Sequence, residues 1–200
     1  VLIIAITLLG LAIFFIKKLL GGGLELIGGE FEELKKRLKE DMLAKGDLID
    51  FRFLGPAEIK RGRKSYFAIG IRNTATSQSE KSEPSKKVCF RISVKCLRPF
   101  NPDNECVEGK GSDVVVGGYD KETGELKPEE NWFSKFLAQT DIKENEAKII
   151  DNIFLIRTAK PDSYEMELIV YKATDDKDCS ETGGEFDIYN SKEFTIEVTA

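Results

Sequence analysis

The chain has 200 residues, of which 32% are charged, and its formal net charge is -5. This length allows one ordinary globular domain with an extension. The acidic balance argues against a nucleic-acid partner, which would require a clustered basic face. Two dense basic runs, at 35–37 and 60–64, are interpreted as solvated surfaces. The chain has no His, so the commonest general base and metal ligand is missing, and we expect no enzyme activity, no cofactor and no metal.

The N-terminal segment Val1 to Ile16 carries no charge and reads VLIIAITLLGLAIFFI. A secretory signal peptide would have its basic residues before the apolar run, whereas Lys17 and Lys18 follow it. A permanent membrane anchor needs about 20 apolar residues and has its basic residues on the cytoplasmic side; the run is shorter, and its basic pair faces the rest of the chain. We favour a processed prepilin, in which a basic leader has been removed before Val1. A truncated chain is the remaining alternative.

Apolar residues recur beyond this segment at spacings of three and four, which is the period of an amphipathic helix. They are Leu20, Leu24, Ile27, Phe31, Leu34, Leu38 and Met42. The pattern predicts one long α-helix over 1–46, capped by Gly46. The glycines at 21–23 and 28–29 each disfavour a helix by about 1 kcal/mol, so a kink or hinge at the triple glycine is the alternative. The stripe is expected to dock on the chain's own domain, to contact neighbouring subunits, or to do both on different segments.

From Leu48 onward the apolar period changes from about 3.6 to 2. The alternating segments are 49–53, 67–71, 88–96, 149–156, 164–172, 186–188 and 194–198. They predict a two-sheet antiparallel β-sandwich over 47–200, so that the fold class is α+β. Tyr164 is interpreted as a plain core tyrosine in preference to a tyrosine corner. Trp132, Phe133 and Phe136 are interpreted as a segment that covers the core.

Four cysteines, Cys89, Cys96, Cys106 and Cys179, all lie in the predicted β-domain. An even number in an exported domain indicates two disulfides, and the spacing lacks the close pairs of a zinc site. Cys96 and Cys106 are near enough in sequence to staple the loop between them. Cys89 and Cys179 would then pair by elimination, and the other two connectivities remain open.

With an apolar N-terminal segment followed by a β-domain, the chain resembles archaeal type IV pilin-like proteins, which carry an immunoglobulin-like β head. Val1 and Ala5 stand where bacterial pilins typically have an aromatic residue and Glu, which favours the archaeal branch. The resemblance implies an extracellular helical filament on the cell surface, built from subunits that sit in the membrane before assembly. The N-terminal helices would form the filament core, and the heads would be exposed for adhesion to a surface that the sequence does not identify. The residues implied in the core are Val1, Leu2, Ile3, Ile4, Ile6, Leu8, Leu9, Leu11, Ile13, Phe14, Phe15, Ile16 and Leu20.

Two other functions share this layout. An archaellum-type motility filament has the same plan as an adhesive pilus. A single-pass, membrane-anchored binding ectodomain would have the β head and the disulfides but would not polymerise. An exported enzyme is the least favoured class, because the sequence contains no catalytic motif.

Overall fold

The computed structural model describes residues 29–74, 87–127, 132–174, 178–180 and 185–200. Within these ranges the chain forms one α-helix, α1 (29–45), and eleven β-strands. The strands are β1 (Ile49–Phe53), β2 (Glu58–Lys60), β3 (Ser65–Arg72), β4 (Lys87–Pro99), β5 (Val114–Asp120), β6 (Glu125–Lys127), β7 (Phe133–Lys135), β8 (Gln139–Lys143), β9 (Ala147–Phe154), β10 (Asp162–Ala173) and β11 (Phe186–Thr199).

The strands form two sheets that pack face to face as a β-sandwich. Sheet A has the strand order β1-β3-β9-β7. Sheet B has the order β2-β11-β10-β4-β5-β6, and β8 also pairs with β4. Among the described strands every pairing is antiparallel except that of β2 with β11, which is parallel. The two-sheet sandwich is therefore as predicted, with this one parallel pair as an exception.

The prediction of a long N-terminal α-helix, and with it of the α+β class, is wrong. The described chain is mostly β, and its helix spans only 29–45 and is rich in charged residues. Residues 1–28, with the predicted hinge at the triple glycine, lie outside the described residues; the described helix begins at Gly29, the last of five glycines that each disfavour a helix. In the described part of the chain, no helix is both long and apolar enough to cross a membrane. The predicted end of the helix is correct, since Gly46 has a φ of 78° and donates its N–H to the Met42 carbonyl at 2.9 Å.

Alternation along the strands produces the core between the sheets. On β10 the inward residues from Tyr164 to Val170 are all at most 1% exposed. Phe154 on β9 stacks on Phe67 at 4.6 Å and on Phe133 at 4.5 Å between ring centroids. Trp132 is fully buried, and Phe133 and Phe136 are nearly so, which confirms that this segment covers the core. Phe133 itself begins the short strand β7.

Tyr164 forms a tyrosine corner, which corrects its interpretation as a plain core residue. Its hydroxyl donates a hydrogen bond to the Lys160 carbonyl at 2.8 Å, four residues upstream. Its ring is fully buried and meets Trp132 edge to face at 5.3 Å. Burial, together with the nearby charge of Asp162, raises the pKa of this hydroxyl, so it remains a donor at neutral pH. The bond fixes the crossover from β9 in sheet A to β10 in sheet B.

Removing this hydroxyl is expected to destabilise the domain. Tyr164→Phe should lower the free energy of unfolding by about 1–1.5 kcal/mol, because a partly buried hydrogen bond is lost while the ring remains in place. Urea denaturation followed by tryptophan fluorescence measures the change. Tyr66→Phe is the matched control, since no hydrogen bond of the Tyr66 hydroxyl occurs in the described structure. An equal effect of both variants would mean that the corner contributes nothing specific.

Candidate assembly surface

The residues predicted to form the filament core, Val1 to Leu20, lie outside the described residues. The structure does describe the helix that follows them and the domain surface on which that helix rests. Of the predicted amphipathic stripe, the structure describes Phe31, Leu34, Leu38 and Met42. The surface around α1 is therefore the part of the molecule nearest in sequence to the predicted assembly segment.

Helix α1 packs its apolar face on the outer face of sheet A. Phe31, Leu38 and Met42 are at most 8% exposed and form a cluster with Ala68 of β3. This cluster is separate from the core between the two sheets. The part of the stripe that lies on α1 is therefore used within the chain, as expected for a helix that docks on its own domain.

Two contacts fix the direction of α1 across the sheet. In the first turn, Phe31 meets the ring of Tyr66 at 5.9 Å between centroids, near the start of β3. In the last turn, Met42 lies over Gly70, near the end of β3. The helix thus runs in the same general direction as β3, and its N-terminus lies at the end of the sandwich where β3 begins.

Gly70 allows this close approach. A β-carbon at this position would overlap the Met42 sulfur and lie 3.1 Å from Ile149 Cδ1. Because Met42 is fully buried, its side chain has no solvent space into which it can move. A glycine in the middle of a strand ordinarily weakens the strand, and close approach by another element is a recognised reason for one.

A double-mutant cycle should reveal this contact. Gly70→Ala is expected to lower the free energy of unfolding by about 1–3 kcal/mol through overpacking against Met42. In a Met42→Ala background the same change should cost less than half as much, because the overlapping atoms are gone. Urea denaturation of the four proteins gives the coupling energy. Additive effects would show that α1 does not press on Gly70.

A chain of charges joins α1 to both sheets. Asp41 of α1 pairs with Arg52 of β1 at 2.5 Å, and Arg52 lies 3.8 Å from Asp50. Asp50 in turn pairs with Lys192 of β11 at 2.5 Å. The Asp50 side chain is only 12% exposed, so its charge needs these two partners. The network orients the helix relative to the sandwich more than it adds stability, since its outer members are exposed.

Lys35 adds a second polar tether between α1 and sheet A. Its ammonium lies 2.5 Å from Glu32 and 3.4 Å from Asp151 of β9. Burial lowers the pKa of Lys35, but the interactions with Glu32 and Asp151 outweigh burial and leave the pKa above its ordinary value. Lys35 therefore remains charged at neutral pH and holds the helix against β9.

The turn between β2 and β3 presents four cations. They are Lys60, Arg61, Arg63 and Lys64, all exposed. The backbone of this turn is held in place: Arg63 N–H bonds to Lys60 O at 2.9 Å, Gly62 N–H to Ile156 O at 2.7 Å, and Arg61 N–H to Thr199 O at 2.9 Å. The exposure of these cations confirms the interpretation of this run as a solvated surface, and the turn adjoins the end of sheet A where α1 begins.

The two disulfides join Cys89 to Cys179 and Cys96 to Cys106, which is the pairing that the sequence analysis favoured. The carboxylate of Asp141 lies close to the first bridge and accepts the Cys179 N–H at 2.7 Å. The Cys89 and Cys179 sulfurs are bonded to each other, so neither is available as a thiolate ligand for a metal ion. Asp141 instead anchors the backbone beside the bridge.

A polar cleft of about 370 Å³ lies between the β4–β5 loop and the segment before β10. Asp162 organises its edge by accepting hydrogen bonds from Asn101 N–H and Asn104 Nδ2 at 2.9 and 3.0 Å. Burial raises the pKa of Asp162, but the hydrogen bonds outweigh it and leave the pKa below its ordinary value. Asp162 therefore acts as an ionised structural acceptor at neutral pH, with the function of ordering the loop.

Two polar residues that connect the sheets, Tyr189 and Asn73, were not predicted from the sequence. Tyr189 of β11 donates its hydroxyl to Arg72 O at 2.7 Å and so joins sheet B to sheet A. Asn73 is fully buried and donates from Nδ2 to Ile142 O at 3.1 Å. Asn73 lies two residues after the predicted strand 67–71, and no sequence pattern indicated that its side chain would be buried and bonded to the backbone.

No family model matches the chain, and no curated protein matches it. Among solved structures, it is similar to the CARDB domain of a Pyrococcus furiosus protein in complex with di-metal ions, at 11% identity and a TM-score of 0.34 over 76% of this chain and 87% of that one. It is also similar to the ASH/PapD-like domain of human CEP192, at 11% identity and a TM-score of 0.36 over 76% and 84%. At these scores neither likeness carries an inference about ligand or partner.

Proposed function

We propose that this chain is a structural subunit of an extracellular filament. The apolar segment Val1 to Ile16 mediates contact between subunits, and the β-sandwich is carried on the outside. One observation carries the proposal: an uncharged segment of sixteen residues precedes a disulfide-bonded β-domain. Such a segment cannot remain in water and requires either lipid or copies of itself as a cover.

The docking of α1 supports assigning domain packing to α1 and assembly to the segment 1–16. The apolar face of α1 is covered by sheet A, so α1 offers no open apolar face to a neighbouring subunit. Assembly through the segment 1–16 therefore leaves the folded domain intact, as a polymer of exported domains requires.

The disulfides support the extracellular part of the proposal. Both bridges occur in one small domain, and disulfides persist chiefly in oxidising compartments. The segment 1–16 would hold each subunit in the membrane until it joins the filament. Surface adhesion is the role that an exposed sandwich head fits best.

Electron microscopy of the purified full-length chain without detergent tests the proposal. Regular thin filaments with helical symmetry are the expected result. Monomers that require detergent, and that form no filament in any condition, would instead identify a membrane-anchored binding ectodomain. The docking of α1 on sheet A does not distinguish the two functions, because a helix covered by its own domain is equally suited to a monomeric anchor.

A further inference from the structure

We propose that the turn 60–64, here called the cationic turn, is a contact site for the headgroups of anionic lipids. It would hold the β-domain against the membrane surface while the subunit awaits assembly. This inference rests on the proposed function, because it assumes that the apolar segment enters a membrane.

Position is the first argument. Lys64 directly precedes β3, and Tyr66 of β3 contacts Phe31 in the first turn of α1. The cationic turn therefore lies within a few residues of the site where the chain enters the domain from the apolar segment. Lys17 and Lys18 also lie in the sequence between that segment and α1. The described chain therefore begins at the same end of the sandwich as the cationic turn, and we expect this end to face the membrane surface when the segment is in a bilayer.

Unbalanced charge is the second argument. No ion pair joins the four cations of the cationic turn to a carboxylate within the described part of the chain. Arg157 lies beside them, since Gly62 bonds to the preceding residue, and it is also exposed. Of the acids on the adjoining elements, Glu32 and Glu33 of α1 are paired with Lys35 and Arg37, and Glu58 of β2 accepts a hydrogen bond from Thr199 Oγ1 at 3.2 Å. In a chain of net charge -5, this turn is a local excess of positive charge.

Rigidity is the third argument. Three backbone hydrogen bonds, to β2, to the segment after β9 and to the end of β11, fix the turn relative to both sheets. The exposed cations are consequently presented from a fixed base. Anionic membranes attract cations that lie near their surface, and each contributes about fivefold to the population of the bound state. A cluster of this size is sufficient to orient a tethered domain.

The test uses the full-length chain reconstituted in vesicles. Trp132 is the single tryptophan, and its carbonyl accepts the Leu155 N–H at 2.8 Å at the same end of the sandwich. Energy transfer from Trp132 to a dansyl-labelled lipid headgroup therefore reports the approach of this end to the membrane. Vesicles of phosphatidylcholine alone are compared with vesicles that contain one-third phosphatidylglycerol. We expect greater transfer in the anionic vesicles, and we expect that difference to vanish in about 1 M salt, where charges are screened beyond about 3 Å.

Two double variants test whether the cationic turn causes the lipid dependence of the energy transfer. Arg61→Glu with Arg63→Glu should remove the lipid dependence of the transfer. Lys87→Glu with Lys143→Glu is the matched control, because both lysines are exposed, they lie at the opposite end of the sandwich, and the change in net charge is the same. The control should retain the lipid dependence. Equal transfer in both kinds of vesicle, or an equal loss in both variants, would overturn the inference.

Other outcomes separate this inference from the proposed function. If millimolar inorganic phosphate abolishes the lipid dependence at constant ionic strength, the turn is a discrete phosphate site and the inference is overturned. If Arg61→Glu with Arg63→Glu abolishes filaments but leaves the lipid dependence intact, the turn contacts another copy of the chain; the inference then fails and the proposed function stands. If the wild-type chain associates with neither kind of vesicle, the apolar segment does not insert and the membrane stage of the proposed function fails as well.

Discussion

Leu9→Asp should abolish filament formation while leaving the β-domain folded. A carboxylate at the centre of an apolar, water-free assembly costs about 2.5–3.5 kcal/mol per subunit, which weakens each subunit's association roughly a hundredfold. The effect is repeated at every subunit, so no long polymer should survive. Ile6→Asp should behave in the same way. Electron microscopy of the purified variants, with near-ultraviolet circular dichroism to monitor the packing of the aromatic core, measures both parts of the prediction.

The chain supplies a matched control for this substitution. Leu43 is 48% exposed on the outer side of α1, so Leu43→Asp makes the same chemical change at a site in water. It should leave both filaments and folding unaffected. Filaments that tolerate Asp at position 9 would show that the apolar segment is not the assembly core.

The two disulfides should contribute unequally to stability. Cys89–Cys179 spans 90 residues and Cys96–Cys106 spans 10. In the chain-entropy account, a bridge that closes a longer loop restricts the unfolded chain more. Replacing both residues of the long-range bridge with Ala should lower the free energy of unfolding by about 4–5 kcal/mol, and the same replacement at the short-range bridge by about 3 kcal/mol. Guanidinium denaturation of the two double variants under identical conditions measures the difference.

The ranking of the two disulfide variants is the informative outcome. Three of these cysteines are almost fully buried, so both replacements also leave small cavities, which add a similar cost. A larger loss at Cys96–Cys106 would show that local ordering of the β4–β5 loop matters more than closure of the long loop. Four free thiols in the native protein would contradict the bridges altogether.

Alternation of apolar residues was sufficient to predict the longer strands, because one buried face per strand leaves a period of two in the sequence. The strands β2, β6 and β7 each have three residues, which is too few to establish any period. β5 is not among the predicted alternating segments, because Gly117 and Gly118 interrupt its pattern. β11 was predicted as two strands, since the polar stretch from Asn190 to Glu193 interrupts the alternation where one face is open to solvent.

The helix shows more clearly which features of a structure periodicity cannot predict. A repeat of three and four indicates which face is apolar, but it contains no information on where the helix begins. It also does not distinguish a stalk from a helix that lies on a sheet. The decisive residue was Gly70, which is distant in sequence and acts only once β3 and α1 are in contact. The basic turn and the docking of the apolar stripe on the chain's own domain were thus predictable, whereas the strand on which α1 rests was not.

The position of β11 has a consequence for the order in which the molecule can form. Among the described strands β11 is synthesised last, yet it lies between β2 and β10 in sheet B. β2 pairs with β11 alone among the described strands, so the sheet cannot close until residues 186–199 have been synthesised. At translation rates of about 5–20 residues per second, the apolar N-terminus is exposed for at least several seconds before the domain can fold. Under the proposed function, this order of synthesis gives a membrane the first opportunity to bind the apolar segment while the β-domain is still unfolded.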